Sequence, residues 1–357
     1  MGEPVSSGRP YPRWAAFLLL FGLYLSFHGY HSRDGDQAYR LPLLLHRQDP
    51  TLYADDPFVR AFETFNPHEG YLALLDAASR LVGLSAALAG IYAATFALTC
   101  LGVDRLARAI WPEANPRVGV IAVGLLLLAK AGNIGTNHLF EPLLLDRLIA
   151  LALGWVALAS LVAHPGEARL LAPLLIAAAS AIHPSLGLQL GLLLGGLWGI
   201  GCLIPGAFGG SRRVAFHGLA LLLVALAPQL ATIGSQGAVL LEGLPPEEMR
   251  LLSAWVQSPQ HMLPHLWRLP QWLAWACYPV LAVLSLWESR TETPWPPART
   301  RLVIALGGTL GGLGLAWVAI EILGDLKCTL FQPFRMATVA RGLCLTALAR
   351  RLQALWE

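Results

Sequence analysis

The sequence predicts an all-α membrane protein, a polytopic bundle of about ten transmembrane helices, and two observations support this prediction. Charged residues make up 13% of the 357-residue chain and hydrophobic residues 55%, whereas an average globular domain is about 25% charged. Uncharged runs such as "VGVIAVGLLLLA" and "LIALALGWVALASLVA" approach the roughly 20 apolar residues that cross a membrane. The composition therefore excludes an ordinary soluble domain, and since no basic patch is present we expect no nucleic acid as a partner.

Arginine placement predicts the topology, because cytoplasmic loops retain Lys and Arg. Six basic clusters divide the chain: Arg9 and Arg13; Arg105, Arg108 and Arg117; Arg169; Arg212 and Arg213; Arg290, Arg299 and Arg301; Arg350 and Arg351. If all six are cytoplasmic, each interval holds an even number of crossings, and its apolar length suits two. Both termini are then expected in the cytoplasm, and we expect the protein in the inner membrane of a bacterium.

The predicted spans follow the apolar runs in order. They cover residues 14–30, 83–103, 118–133, 143–163, 168–183, 185–204, 213–233, 270–288, 302–324 and 332–350. Residues 1–12 are expected to form a disordered cytoplasmic tail, and residues 13–357 a single integral membrane domain. The fifth and sixth spans share only about 42 residues, so we expect short or broken helices with the turn near His183 and Pro184.

Two predicted external segments are longer than a connection requires. Residues 31–70 alternate apolar and charged residues at near-helical spacing around four prolines, a pattern typical of helices that lie in the membrane interface. Residues 234–269 are similar and rich in tryptophan, which favours the level of the lipid head groups. We therefore expect interfacial helices in the first external loop.

Glycines recur at helical spacing in two of the predicted spans. One set falls at steps of four residues and the other in "GGTLGGLG"; they are Gly187, Gly191, Gly195 and Gly199, and the glycines between Gly307 and Gly314. Small residues on one helix face let another helix approach its backbone. Both sets therefore predict close helix packing.

The stretch "HSRDGDQAYR" places Asp34 and Asp36 directly outside the first span. A carboxylate there can act as a general base if partial burial raises its pKa toward neutrality. The second carboxylate could orient an acceptor or bind a divalent cation through oxygen ligands. A solvated turn is the alternative, since Asp and Gly favour turns. No metal site is predicted from the histidines, because Pro264 interrupts the spacing of His261 and His265.

A second acidic pair, Asp55 and Asp56, lies on the same loop in "LYADDPF". Both are candidates for binding a substrate or a cation. Asp56 precedes Pro57, however, and its carboxylate could instead cap the free amides at the start of a helix.

Charged and polar residues at the ends of apolar runs give further candidates, because a charge in the membrane is costly unless it faces a partner or water. Asp146 and Arg147 follow Glu141 at the outer end of the fourth span, where an ion pair that only stabilises packing is the alternative. His183 lies between two apolar helices, where a packing role is common. These residues and those of the outer loops are all predicted to share the external face.

The tenth predicted span opens with "QPFRMATVARGL", which contains Gln332, Arg335 and, deeper, Arg341. A guanidinium group suits phosphate, to which it donates two parallel hydrogen bonds. The alternative is that the arginine extends toward the interface, which explains Arg335 more easily than Arg341.

This organisation resembles the GT-C class of membrane glycosyltransferases. "DGDQAYRLPLLLHRQDPTLYADDPF" is similar to a "DQ…P…P.LY..D" pattern of several uncharacterised bacterial multi-pass families, and "IHPSLGLQLGLLL" and "QPFRM" resemble further parts of one such domain of unknown function. The resemblance implies a sugar donor carried on a polyprenyl phosphate. It implies Asp36, with Asp34 as second candidate, as the base that activates an acceptor hydroxyl.

The same resemblance implies that Asp55 or Asp56 helps to bind acceptor or cation and that Arg335, with Arg147, holds the lipid phosphate. The chain departs from the class in its small number of helices, which leaves an accessory or non-catalytic membrane protein as an alternative. A small-solute transporter is the other alternative, favoured by the His183–Pro184 break and by Glu321 but not by any visible internal repeat.

Overall fold

A computed structural model describes residues 13–32, 34–64, 66–136, 138–241, 244–256, 258–289 and 295–357. In this part of the chain every regular element is helical and no strand occurs. The all-α prediction is therefore confirmed. The tail of residues 1–12, predicted to be disordered, lies outside the described residues.

The α-helices of the described chain are numbered here in order. They are α1 (Arg13–His28), α2 (Gln37–Gln48), α3 (Pro57–Thr64), α4 (Glu69–Val82), α5 (Leu84–Ile110), α6 (Arg117–Leu128), α7 (Asp146–Ala163), α8 (Pro165–Ile182), α9 (Pro184–Leu203), α10 (Pro205–Phe208), α11 (Arg212–Leu241), α12 (Pro246–Leu251), α13 (Leu269–Glu288), α14 (Pro297–Trp317) and α15 (Met336–Trp356). Short 3₁₀ and π turns occur at Ile134–Thr136, Leu252–Val256, Pro259–His261, Pro264–Leu266, Val318–Ile322, Leu326–Phe331 and Pro333–Arg335.

Seven helices of the described chain are long and apolar enough to cross a membrane: α5, α7, α8, α9, α11 as far as Thr232, α13, and α14 continued to Ile322. The chain is thus an integral membrane protein with several spans. The other three predicted spans fall on α1 and α6, which have 16 and 12 residues, and on α15, which carries three arginines. Ten crossings therefore remain a prediction.

Prolines set several of the helix boundaries. Pro165, Pro184, Pro205 and Pro297 each open a helix, where the missing N–H of proline costs no hydrogen bond. His183 alone separates α8 from α9, so the turn lies where it was predicted. Against expectation the two helices are unbroken, at 18 and 20 residues.

Helix α7 is the centre of the bundle, and glycines bring its neighbours close to it. A Cβ atom on Gly102 of α5 would lie 2.6 Å from the backbone of Trp155 in α7, and one on Gly342 of α15 would lie 2.5 Å from the Trp155 ring. Only glycine fits at such distances, so α7 is held between α5 and α15.

Arginines gather helix ends at one side of the bundle, which we call the basic end. Arg13 of α1 pairs with Asp104 of α5 at 3.3 Å. Arg301 of α14 donates to Val162 O at the end of α7 (2.7 Å) and to Phe208 O at the end of α10 (2.5 Å). These two carbonyl groups, at the C-termini of α7 and α10, thereby gain a hydrogen-bond donor. An arginine near a helix C-terminus is expected to make such contacts.

The two predicted glycine faces behave differently. On α9, a Cβ on Gly187 would lie 2.3 Å from the Ser180 backbone and one on Gly191 would lie 2.8 Å from Leu226, so close packing is correct at these two positions. A Cβ on Gly195 would make only an ordinary contact, 3.5 Å from Leu222, and one on Gly199 would meet no described atom within 4 Å. For α14 the prediction of close packing is wrong. A Cβ on Gly308 would lie 3.8 Å from Leu193, an ordinary contact, and a Cβ on any of the other four would meet no described atom within 4 Å: Gly307, Gly311, Gly312 and Gly314.

Candidate functional site

Three short helices of the first predicted external loop, α2 to α4, cover the end of the bundle opposite the basic end, which we call the polar end. A Cβ on Gly70 would lie 2.1 Å from Ala181 O, so α4 lies directly against the end of α8. Gln37, fully buried, donates to Leu144 O at 2.9 Å. These contacts place the start of α2 over the start of α7.

Asp36 and Arg147, 111 residues apart in the sequence, meet at this junction. Arg147 Nη1 donates to Asp36 Oδ2 at 2.5 Å, while its Nε and Nη2 donate to the two oxygens of Glu141 at 3.1 and 3.0 Å. The hydroxyl group of Tyr39 donates a hydrogen bond to Asp36 Oδ1 at 2.5 Å. The guanidinium is thus held in one orientation between two carboxylates.

Arg40 links this group to the buried carboxylate of Asp146. Arg40 Nη2 lies 3.0 Å from Asp146 Oδ2, and Arg40 Nη1 lies 3.2 Å from Asp36 Oδ2. His68 Nδ1 lies 2.7 Å from the same Asp146 oxygen, and the backbone N–H of Arg147 donates to Asp146 Oδ1 at 2.8 Å. Asp146 is fully buried, and these donors compensate its charge.

The charge of Asp36 follows from its neighbours. Partial burial by itself would raise the pKa of this carboxyl, but Arg147, Tyr39 and Arg40 outweigh burial and hold it at about 2. Burial and the hydrogen bond to Asp36 raise the pKa of Tyr39 to about 12. The expectation that burial would raise the pKa of Asp36 toward neutrality is therefore wrong, because two arginines lie beside this carboxyl. One of them, Arg147, is 111 residues away in the sequence.

His183 and Arg335 form a second part of the site, at the starts of α9 and α15. His183 Nδ1 accepts a hydrogen bond from Leu186 N at 3.2 Å and so caps α9. Its Nε2 contacts Arg335 Nη1. Burial and the arginine hold the pKa of His183 well below its ordinary range, while burial and Arg147 lower the pKa of Arg335 to about 10. At neutral pH the histidine is neutral and the arginine is charged.

This pair brings two hydrogen-bond donors face to face. Because Nδ1 of His183 accepts from Leu186, the single proton of the neutral ring is on Nε2, which faces a guanidinium that only donates. Among the described residues no carboxylate lies within ion-pair distance of Arg335, and its Nε has no hydrogen-bond partner. An anionic oxygen bound here would accept from both groups, and the N-terminus of α9 adds a favourable dipole.

Gln332 lies beside this pair in an unusual backbone conformation. Its φ of 49° is in the left-handed region, which residues other than glycine rarely adopt. Arg335 N donates to Gln332 O at 3.1 Å, so the turn orients the arginine. The buried Gln332 Oε1 has no hydrogen-bond partner among the described residues.

The structure does not bring Asp34, Asp55 and Asp56 to these residues. Asp34 is exposed and accepts from its neighbour Gly35 N at 2.7 Å. Asp55 is 96% exposed and pairs with Arg60. Asp56 Oδ1 accepts from the backbone N–H groups at the start of α3, at 2.8 and 3.1 Å, so the capping alternative holds for this residue.

Three further residues lie at the site without having been predicted there: Arg40, His68 and His261. Arg40 follows Asp36 by four residues, a spacing that joins side chains on one helix face and could have revealed the pair. His261 Nδ1 lies 3.2 Å from Gly135 O, and burial and Arg335 lower its pKa. No local signal in the sequence connects His68 or His261 to these partners.

The carboxylates of this site are poorly suited to a cation. In the described part of the chain no three His, Cys, Asp or Glu side chains lie close enough together to hold a metal ion. Asp36, Glu141 and Asp146 already accept from Arg147 or Arg40, and an arginine competes with a cation for the same oxygens. The arrangement favours an anion bound at Arg335 over a divalent cation.

Comparison of the chain with protein-family models, with curated proteins and with solved structures found no match.

Proposed function

We propose that this protein is a membrane glycosyltransferase that uses a sugar donor carried on a polyprenyl phosphate. The observation that most supports the proposal is the pair of facing donors on His183 and Arg335, which an anionic phosphate oxygen would satisfy. Arg147 and the ionised Asp36 lie in the same cluster of charges. A phosphate and an acceptor hydroxyl could therefore be held side by side.

In the proposed reaction the acceptor oxygen attacks the anomeric carbon of the donor sugar. The bond between that carbon and the phosphate oxygen breaks, and its electron pair leaves with the phosphate, which Arg335 and His183 hold. The proton of the acceptor hydroxyl passes to Asp36. A carboxylate with a pKa of about 2 is a weak base, so it takes the proton late, when formation of the new bond has made the hydroxyl strongly acidic.

Arg147 has a positioning role in this proposal. Its two hydrogen bonds to Glu141 fix the guanidinium, and its third keeps Asp36 ionised. Asp34, being exposed and outside the cluster, is a weaker candidate for the base than Asp36.

The transporter alternative gains less support. Between Leu148 and Val162 helix α7 is built of apolar residues and Gly154, with Ser160 as the one hydroxyl, so this central helix offers no polar path between the two ends. Glu321 accepts from His265 N at 3.0 Å in a turn that follows α14. This carboxylate is thus explained by a local contact.

Binding of a polyprenyl monophosphate to the purified full-length protein tests the proposal. We expect Arg335→Gln to bind undecaprenyl phosphate at least about tenfold more weakly than wild type in native mass spectrometry, because charge-assisted hydrogen bonds to the phosphate are lost. Arg60→Gln removes an arginine that is 61% exposed and contacts Asp55 and Ala54 O in the turn before α3, so this control should bind like wild type. Equal affinity of wild type and Arg335→Gln would refute the phosphate site.

A further inference from the structure

Two aromatic rings of the polar end are open to the outside of the molecule beside Asp36. Tyr39 of α2 is 41% exposed and Phe58 of α3 is 40% exposed. Their ring centroids lie 5.7 Å apart, and the hydroxyl group of Tyr39 donates to Asp36 Oδ1 at 2.5 Å. The two rings thus begin at the carboxylate that receives the acceptor proton in the proposed function.

Phe62 continues this aromatic surface into a pocket between α2, α3 and α4. Its ring centroid lies 4.7 Å from that of Phe58, and Phe62 lines the pocket, which has a volume of about 310 Å³. Three further apolar side chains line it: Leu43, Val59 and Leu72. We call Tyr39, Phe58 and Phe62 the aromatic ridge. It connects the pocket with Asp36.

The other walls of this pocket are made of polar side chains, which are His46, Arg47, Glu63, Asn66 and Glu69. Glu63 is 60% exposed, and its Oε1 lies 3.2 Å from His46 Nε2. Glu69 is 58% exposed and pairs with Arg47. A carboxylate has two oxygens and about four lone-pair positions, so both glutamates keep acceptor capacity for a ligand.

The exposed charges indicate that this face meets water and not lipid tails. Asp55, in the turn before α3, is 96% exposed and Arg60 of α3 is 61% exposed. Together with Glu63 and Glu69 they surround the ridge with groups that are costly to place in hydrocarbon. Aromatic rings left open to water and bordered by polar residues are typical of a binding surface.

A carbohydrate matches this combination of surfaces. The C–H groups on the face of a sugar ring pack on aromatic rings, while the hydroxyl groups at its edge need polar partners that donate and accept hydrogen bonds. A cavity of about 150 Å³ accommodates benzene, so about 310 Å³ accommodates on the order of twelve non-hydrogen atoms, the number in one hexose. The ridge lies between this pocket and Asp36, so a ligand that reaches both has more than one sugar unit.

We propose that the aromatic ridge and the pocket bind an oligosaccharide, which is the acceptor of the proposed transfer. One sugar unit occupies the pocket, the next units pack on Phe58 and Tyr39, and the terminal hydroxyl group lies at Asp36. The inference rests on the proposed function, because that function requires an acceptor hydroxyl at this carboxylate.

Binding of defined oligosaccharides to the full-length protein in lipid nanodiscs tests this inference. Wild type is applied to an array of bacterial oligosaccharides, and the one that binds most strongly is titrated by calorimetry. Phe58→Ala should bind it at least about tenfold more weakly, because aromatic contact area is lost. Glu63→Leu should weaken it as well, because hydrogen bonds to hydroxyl groups are lost. Phe216→Ala is the matched control, since it removes a 61% exposed phenylalanine of α11 outside the ridge.

Binding of undecaprenyl phosphate by the same variants separates the ridge from the phosphate site. Weaker oligosaccharide binding in Phe58→Ala and Glu63→Leu, with the lipid bound as in wild type and Phe216→Ala unchanged, supports the inference. Wild-type oligosaccharide binding in either variant overturns it. So does a wild type that binds no oligosaccharide, including the case in which Phe58→Ala weakens the lipid, because the ring then faces the membrane.

Failure of the ridge leaves the proposed function standing as long as Arg335→Gln still binds undecaprenyl phosphate more weakly than wild type. If Phe58→Ala does not fold by circular dichroism, Phe58→Leu replaces it, since leucine removes the ring and keeps an apolar side chain at this position.

Discussion

Single charges at the polar end are stabilised by partners from distant parts of the sequence. Asp146 is fully buried and keeps its charge because Arg40 and His68 reach it from the loop before α5. A buried ion pair contributes little net stability, but the loss of one partner leaves the other charge uncompensated. Each residue of this network is therefore sensitive to substitution even where it takes no part in chemistry.

The stability contributed by Asp36 should depend on pH. Its pKa is about 2 in the folded protein and 3.8 ordinarily, so its contribution is complete above pH 3.8 and is lost as pH falls toward 2. At neutral pH we expect Asp36→Asn to be less stable by about 2 kcal/mol, before solvent screening reduces this difference. Thermal unfolding in detergent, followed from pH 7 to 2.5, should show the difference in melting temperature shrinking below pH 4.

The exposed Asp34 provides the control for this titration. Asp34→Asn should melt like wild type at every pH, because this carboxylate is 72% exposed and lies outside the network. A difference between wild type and Asp36→Asn that stays constant down to pH 2.5 would show that the ionised carboxylate is not what stabilises the fold.

At the scale of elements, the hairpin of α8 and α9 positions His183. Gly187 of α9 lies so close to α8 that a Cβ would be 2.3 Å from the Ser180 backbone, which no side-chain rotation relieves. The approach of these two helices thus connects a packing glycine to the His183–Arg335 part of the site.

Alanine substitutions along α9 test this connection. Gly187→Ala should lower the melting temperature by several degrees and weaken binding of undecaprenyl phosphate, because α9 must move away from α8. Gly199→Ala is the matched control, since a Cβ there meets no described atom within 4 Å. This control should be as stable as wild type or slightly more so, given the better helix propensity of alanine. Equal melting temperatures for the two variants would contradict the close approach.

On the scale of the whole molecule, charge is sorted between the two ends of the bundle. Arg13, Arg301 and Arg351 bind at the basic end, Arg351 to Glu288 of α13 at 2.6 Å. The acids and arginines of the candidate site lie at the other end. These three arginines belong to three of the six clusters from which the topology was predicted, and the rule for Lys and Arg predicts that the basic end is cytoplasmic.

Reporter fusions test which side each end faces. Green fluorescent protein fused after Glu357 should fluoresce and alkaline phosphatase at the same point should be inactive, because the end of α15 lies at the basic end. Alkaline phosphatase inserted after Asp55, in the exposed turn before α3, should be active. The reverse pattern would place the candidate site in the cytoplasm and would exclude an external donor.

The sequence by itself determined the helices, their approximate bounds and the basic end, because apolar length and arginine placement are local properties of the chain. The turn at His183, the cap at Asp56 and the close packing at Gly187 could be predicted for the same reason. The four-residue spacing of Asp36 and Arg40 is a local property of the same kind, because it joins side chains on one helix face.

Only the tertiary structure decided which charges meet. Arg147 reaches Asp36 across 111 residues and Arg335 reaches His183 across 152, and no periodicity records such pairs. These contacts lower the pKa of Asp36, where burial alone would have raised it. The tertiary structure also decided that Gly307, Gly311, Gly312 and Gly314 of α14 face no described atom, because whether a small residue packs depends on what the fold brings opposite it.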